Sequence, residues 1–243
     1  MISPQKSLYT IAGWLLVAES LLIFIPLSVL GSAINWPKSL SDPADKVLPL
    51  LVENASAVRF GYLVYLIYSI LFWAIASLTI QVLSNEETDS IWLRVANGFG
   101  IASVVARCLG IIRWLVAMPA LATLYTDPTI STGTRESIAV VYRALNDYAG
   151  SVGEVLGVSL FAGLWLAIVS LRVLQTRILP RWLGFLGLIS ATLLGVQLTR
   201  LFGVDLGAFI SISVSVLQLW FLAMGIVLVA KAAKVERNLS AKY

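Results

Sequence analysis

RVANGFGIASVVARCLGIIRWLVAM, residues 94–118, decides the fold of this chain. The stretch is largely apolar and exceeds the roughly 20 helical residues that cross a bilayer. It nevertheless carries two arginines inside it, Arg107 and Arg113. A charge at bilayer depth costs about 3 kcal/mol on insertion scales, so it persists where it is paired or faces a polar cavity. The stretch therefore predicts a transmembrane helix and a buried polar centre.

The composition of the whole chain agrees with a membrane protein. Of its 243 residues, 59% are hydrophobic and 12% are charged, whereas soluble domains carry about 25% charged residues. The chain has no histidine, which disfavours haem, copper and histidine-based zinc sites. The net charge of +4 comes from basic residues at the ends of apolar stretches rather than from a nucleic-acid surface. We predict no metal site, no cofactor and no nucleic-acid partner, and we allow for a bound lipid.

Six apolar stretches are long enough to span the membrane. Together they predict an all-α polytopic membrane protein, a bundle of six transmembrane helices that forms one domain over residues 1–243. The spans lie near residues 8–30, 58–83, 94–118, 150–173, 182–202 and 206–231.

Two shorter helices are predicted in the long loops between spans. Within the first long loop, residues 31–57, a run of apolar residues from Val47 to Leu51 suggests a short interfacial helix. The second loop begins at Met118-Pro119 and contains apolar residues at helical spacing, which predict an amphipathic helix leading into the fourth span. Those residues are Ile138, Val141, Tyr142, Leu145 and Tyr148.

The lysines and arginines predict the orientation, because cytoplasmic loops carry an excess of them. With the N-terminus inside, nine such residues fall on the inner side and six on the outer side. The amphipathic helix then lies on the outer face, and both termini of this multi-pass protein of the cell membrane are cytoplasmic. The inner residues are Lys6, Arg94, Arg172, Arg177, Arg181, Lys231, Lys234, Arg237 and Lys242, and the outer ones are Lys38, Lys46, Arg59, Arg135, Arg143 and Arg200.

The buried charges are the candidate site residues. Arg107 and Arg113 are six residues apart, which turns them toward helix faces about 120° apart. By depth alone, Glu19 suits Arg107 and Glu154 suits Arg113, and Arg200 is a further candidate. These charges could be structural ion pairs that lock the bundle. They could also form a polar cavity for an anionic or zwitterionic ligand, or an ion path.

Further candidates lie at the mouth of the fourth span. Asn146, Asp147 and Tyr148 could join Glu154 in a ligand mouth. Gly150, Gly153 and Gly157 favour instead the close approach of a neighbouring helix. On the second span, three tyrosines spaced by three residues favour packing, with a role in lining a cavity as the alternative: Tyr62, Tyr65 and Tyr68.

The segments 113–122, 145–150 and 153–157, RWLVAMPALA, LNDYAG and GEVLG, resemble a bacterial family of six- or seven-span membrane proteins known only as a domain of unknown function. The resemblance is specific across residues 100–165. It implies a location in the cytoplasmic membrane, and it supplies neither an established activity nor catalytic residues.

The sequence predicts a non-enzymatic, transporter-like or lipid- or small-anion-binding bundle with a buried Arg/Glu centre. The alternative is an accessory or structural subunit of a larger membrane complex, in which partner subunits as well as lipids contact the helices. An intramembrane enzyme ranks third, because the chain shows no catalytic triad, Cys/His pair, phosphate loop or dinucleotide fingerprint, and no residue is predicted to be catalytic.

Overall fold

The structure is a computed structural model that describes residues 4–84, 90–176 and 178–240. Between the second and third spans, the sequence predicts a short acidic loop over residues 84–93, and residues 85–89 of it lie outside these described residues. Two of the basic residues that predict the orientation, Arg177 and Lys242, also lie outside them.

The described residues form helices and contain no strand. The α-helices are α1 (Pro4–Leu22), α2 (Phe24–Ile34), α3 (Ala44–Glu53), α4 (Ala55–Leu83), α5 (Ile91–Leu115), α6 (Ala117–Thr126), α7 (Thr132–Gly150), α8 (Gly163–Gln175), α9 (Arg181–Val196) and α10 (Phe209–Ser240). Two short 3-10 helices cover Lys38–Ser41 and Gln197–Phe202. A π-helix, Ser151–Ala162, joins α7 to α8.

Six helical stretches are long and apolar enough to cross a membrane, so the predicted all-α bundle of six transmembrane helices is confirmed. Large apolar side chains such as Trp14, Phe60 and Ile67 are more than half exposed, as expected where lipid replaces water around a helix. The protein is an integral membrane protein. The six stretches are Pro4–Ile34, Ala55–Leu83, Ile91–Thr126, Thr132–Gln175, Arg181–Phe202 and Phe209–Asn238.

Two prolines explain two interruptions in these stretches. Pro119 lies in the first turn of α6 and has no N–H to donate to the carbonyl of Leu115, where α5 ends. Pro26 likewise lies in the first turn of α2 and has no N–H to donate to the carbonyl of Leu22, where α1 ends. Because a proline is tolerated in a first helical turn, the chain resumes its helix each time. The third span therefore continues beyond Met118, where the sequence predicts a loop.

Both predicted short helices are present. Helix α3 buries Val47 and Leu51. Helix α7 covers the predicted amphipathic region and buries Ile138 and Tyr142, but it leaves Tyr148 exposed. The buried face of α7 is therefore narrower than the spacing of its apolar residues predicts.

The chain divides into two compact units. In the first unit, Trp165 is fully buried and packs edge-on against Phe72 and Trp220, with ring centroids 5.0 and 5.8 Å apart. A Cβ atom added to Gly225 would lie 2.8 Å from the carbonyl oxygen of Gly13, so α10 and α1 approach closely there. Within the described chain, this unit comprises residues 4–21, 71–104 and 157–240.

The second unit has its own apolar core. Leu30, Leu48, Met118 and Tyr142 are fully buried in it. This unit comprises residues 22–70 and 105–156. The prediction of a single domain over the whole chain stays a prediction.

Candidate functional site

The second unit contains a cavity of about 40 Å³. This volume holds roughly three water-sized groups. Its charged lining residues are Arg107, Arg113 and Glu154, so the lining carries a net charge of +1 when all three are ionised. The remaining lining residues are Trp36, Leu40, Tyr62, Tyr65, Gly110, Ile111, Trp114, Gly150 and Gly153.

Arg113, in the last turn of α5, is the most closely defined side chain of the site. It is 8% exposed, and its guanidinium carbon lies 5.4 Å from the ring centroid of Trp114. Its Nη1 donates to the carbonyl of Gly110 at 2.7 Å, and its Nη2 donates to Oδ1 of Asn146 at 3.4 Å. Its Nε is buried and has no hydrogen-bond partner among the described residues. Arg113 therefore keeps donor capacity beside the cavity.

Tyr62 of α4 supplies a second donor. Its ring stacks on Trp114 with centroids 5.1 Å apart and planes 5° apart, which fixes the ring on the cavity wall. Only 1% of Tyr62 is exposed, and its hydroxyl has no hydrogen-bond partner among the described residues. Since buried polar groups are normally paired, this hydroxyl and the Nε of Arg113 suit a ligand that offers acceptors.

Arg107 lies on another side of α5, as its spacing from Arg113 predicts. Its guanidinium carbon lies 4.8 Å from the ring centroid of Tyr68, a cation–π distance. Both arginines nevertheless line the same cavity, because their long side chains reach beyond the faces on which they start. The side chains of Arg107 and Arg113 therefore border one small volume.

Close backbone approach brings Glu154 to the cavity. A Cβ atom on Gly110 would lie 2.7 Å from the Cα of Gly153, so glycines allow α5 to meet the π-helix here. This contact supports the predicted packing role of Gly153. A Cβ atom on Gly150 would lie 3.2 Å from Nη2 of Arg113, so this glycine leaves room for the guanidinium.

Of the three consecutive candidates on α7, Asn146 points inward. Its Nδ2 donates to the carbonyl of Leu40 at 2.8 Å, in addition to the contact of its Oδ1 with Arg113. Asp147 is exposed and accepts a 2.8 Å ion-pair bond from Arg143, and Tyr148 is also exposed. Successive helical residues are turned by about 100°, so Asn146 faces the protein interior while Asp147 and Tyr148 turn away from it.

Two other candidates belong to the first unit. Glu19 is fully buried on α1, and Arg200 lies on the second 3-10 helix. The pairing of Glu19 with Arg107 stays a prediction. The pairing of Glu154 with Arg113 also stays a prediction, although both residues line the cavity.

Sequence reasoning missed two parts of the site. Trp36 and Leu40 line the cavity from the loop after α2, and no local pattern in the sequence marks them. The π-helix that carries Glu154 was also missed, since hydropathy does not separate i→i+5 from i→i+4 hydrogen bonding. Such helices are rare and frequent at functional sites. Tyr62 and Tyr65 prove to line the cavity, which is the less favoured of the two roles considered.

The lining of the site is rich in cationic and hydrogen-bond-donating side chains. In the described parts of the chain, no three Cys, Asp or Glu side chains lie close enough to hold a metal ion. The cavity instead combines guanidinium, phenol and indole groups around one carboxylate. Guanidinium groups form strong, directional hydrogen bonds with carboxylate and phosphate oxygens.

Comparison with known proteins places the chain in a family. No curated protein matches it, and no solved structure matches it. The profile of a family described as a domain of unknown function, DUF4386, matches residues 11–232. The match covers most of the chain, so the protein belongs to the DUF4386 family, in agreement with the predicted membership of an uncharacterised membrane-protein family.

Proposed function

We propose that this integral membrane protein is a non-enzymatic bundle that binds a small oxyanion in the cavity of its second unit. The observation that carries the proposal is a pair of buried donors on two of the residues that line the cavity. These are the Nε of Arg113 and the hydroxyl of Tyr62, neither of which has an acceptor among the described residues. An oxyanion offers several acceptor oxygens to such donors.

Charge supports the same ligand. Arg113 is buried, and its hydrogen bonds go to the uncharged oxygens of Gly110 and Asn146. A buried charge is costly unless it is paired and hydrogen-bonded. The lining contains two guanidinium groups and one carboxylate, so positively charged side chains predominate in it. The cation–π contact with Trp114 offsets part of this cost, and a bound anion would offset more of it.

The anionic group is a phosphate or carboxylate, and it has two candidate sources. It is either the headgroup of an anionic lipid or a free anion that the bundle binds or carries across the membrane. The cavity of about 40 Å³ has room for the charged oxygens of either source and is too small for a large solute. The lipid headgroup and the free anion present the same charged group to the cavity, so an experiment has to distinguish between them.

The test measures binding to the purified protein in nanodiscs of zwitterionic phosphatidylcholine. Inorganic phosphate is titrated calorimetrically, and in a second arm phosphatidylglycerol retained by the protein is counted by native mass spectrometry. Arg113→Gln is expected to weaken binding about tenfold or more, because a hydrogen bond to a charged group contributes about 1.5–3 kcal/mol. Tyr62→Phe is expected to weaken it several-fold.

Arg59→Gln is the matched control, since Arg59 is exposed on α4 of the same unit. It should bind as the unaltered protein does. Phosphate binding alone identifies a free anion, and retention of phosphatidylglycerol alone identifies a headgroup. If Arg113→Gln binds both probes as tightly as the unaltered protein, the proposed site is wrong.

The proposed location is the cytoplasmic membrane, with both termini in the cytoplasm. The bias of basic residues toward the inner side supports it. In the first unit, Nζ of Lys6 on α1 lies 2.7 Å from Oε1 of Glu236 on α10, which supports placing the ends of these two helices on one side. Reporter fusions at the two ends of the chain test whether both termini are cytoplasmic. Activity of a periplasm-specific reporter at either end contradicts it.

A further inference from the structure

The segment 35–43, here called the strap, forms one wall of the cavity. It runs from the end of α2 to the start of α3 and contains the first 3-10 helix. Trp36 and Leu40 of the strap line the cavity, and the Trp36 ring lies edge-on to Tyr65, with centroids 5.5 Å apart. Every other lining residue lies on α4, α5, α7 or the π-helix. The strap is therefore the part of the wall that can move without unwinding a long helix.

Two side chains of α7 hold the strap in place. Nδ2 of Asn146 donates to the carbonyl of Leu40 at 2.8 Å, and the hydroxyl of Tyr142 donates to the carbonyl of Asp42 at 3.4 Å. The two residues are four apart, so both side chains lie on one face of the helix. Ser39 is buried in the strap, and its hydroxyl has no partner among the described residues. Opening the strap returns this hydroxyl to a polar environment.

Asn146 also connects the strap to the charge of the site. Its Oδ1 accepts from Nη2 of Arg113 at 3.4 Å, which is at the long end of hydrogen bonding. Asn146 therefore holds the guanidinium of Arg113 and the carbonyl of Leu40 in fixed positions relative to each other.

We propose that the strap is the gate of the cavity and that Asn146 is its latch, a positioning residue that holds Leu40 and Arg113 together. This inference rests on the proposed anion site. Tyr142 is a second latch that touches the strap without lining the cavity. Loosening Tyr142 should therefore change how fast the anion enters and leaves, and leave its affinity unchanged.

Tyr142→Phe tests the gate. The substitution removes the hydroxyl and keeps the buried ring. The association and dissociation rates of inorganic phosphate, measured by ³¹P exchange spectroscopy, should both rise about fivefold, the factor that corresponds to the roughly 1 kcal/mol of one hydrogen bond. The dissociation constant should stay the same. Tyr148→Phe, which alters an exposed hydroxyl on the same helix, should change neither rate.

Two variants of Asn146 distinguish its effect on the opening of the strap from its effect on anion binding at Arg113. Asn146→Ala should accelerate exchange and also weaken phosphate binding, because Arg113 loses a neighbour that orients it. Asn146→Asp places a carboxylate beside Arg113 and removes the donor to Leu40. It should abolish phosphate binding while the strap opens more often. If Asn146→Asp binds phosphate as tightly as the unaltered protein, the proposed role of Asn146 as a latch is wrong.

Hydrogen exchange of the strap without any anion tests the gate independently of the anion site. The amides of Ser39, Leu40 and Asp42 donate to carbonyls within the strap, and they should exchange faster in Tyr142→Phe. If the unaltered protein binds neither inorganic phosphate nor a soluble phosphatidylglycerol, the anion site is refuted. If it binds one of them while strap exchange and ligand rates are unchanged in Tyr142→Phe, the gate is refuted.

Discussion

Gly110→Ala should drive apart the two helices that frame the cavity. The new Cβ atom would lie 2.7 Å from the Cα of Gly153 and 3.0 Å from the carbonyl oxygen of Ala149. Ordinary contact begins at 3.4 Å, so the backbones must separate by about 0.7 Å. Overpacking of this kind costs about 1–3 kcal/mol. Both neighbouring atoms belong to the backbone, so no flexible side chain can relieve the contact.

Gly98→Ala is the matched control on the same helix, because no atom lies within 4 Å of its Cβ position. Each alanine gains about 1 kcal/mol of helix propensity. The difference between the two variants therefore isolates the steric cost. At about 2–4 °C for each kcal/mol, Gly110→Ala should melt about 5 °C below Gly98→Ala.

The assay is thermal unfolding in one detergent, followed by circular dichroism, with phosphate titration of both variants below their melting temperatures. Gly110→Ala should also bind phosphate more weakly, because Gly110 and Gly153 line the cavity and their separation changes its shape. Equal melting temperatures for the two variants would show that the close contact between Gly110 and Gly153 does not exist.

Three smaller predictions concern single groups. Gly150→Ala should weaken phosphate binding several-fold with little change in melting temperature, since its Cβ would press on the side-chain Nη2 of Arg113 at 3.2 Å; titration and unfolding of one sample check it. Ser131→Ala should lower the melting temperature by about 2–4 °C, because Oγ of Ser131 caps α7 and a lost cap costs about 1 kcal/mol. Hydrogen bonds from the N–H and hydroxyl of Thr129 lower the pKa of Asp127. The stabilisation by this carboxylate should be full above its unfolded pKa of about 4 and lost as the pH falls through the lower folded pKa, which melting curves of Asp127→Asn and the unaltered protein can follow.

Much of the fold is readable from the sequence, because a membrane span needs one long apolar run and little else. The six runs are found, whereas their ends are less well predicted. Pro119 marks the predicted end of the third span, yet a proline in a first turn interrupts a helix without stopping the chain from resuming it. The fourth helical stretch begins at Thr132, whereas the sequence places the start of the fourth span near residue 150. The difference is α7, which is helical but too polar to be recognised from hydropathy.

The charged residues of the site can be predicted from the sequence. Arg107, Arg113 and Glu154 stand out at bilayer depth, and all three line the cavity. The uncharged residues of the cavity wall cannot be predicted from the sequence, because tyrosines spaced by three residues are equally consistent with packing and with lining a cavity. Contacts between distant parts of the chain leave no local pattern either, and Leu40 and Asn146 are 106 residues apart.

The net charge of the cavity lining has an electrical consequence. With a monovalent anion bound in the cavity, the lining formed by Arg107, Arg113 and Glu154 becomes neutral, whereas the unliganded lining keeps one positive charge. An elementary charge that crosses the whole membrane field at 100 mV changes in energy by about 2.3 kcal/mol. In a bundle that carries its anion across, the membrane potential therefore acts on the unliganded return step and leaves the loaded step almost insensitive to voltage.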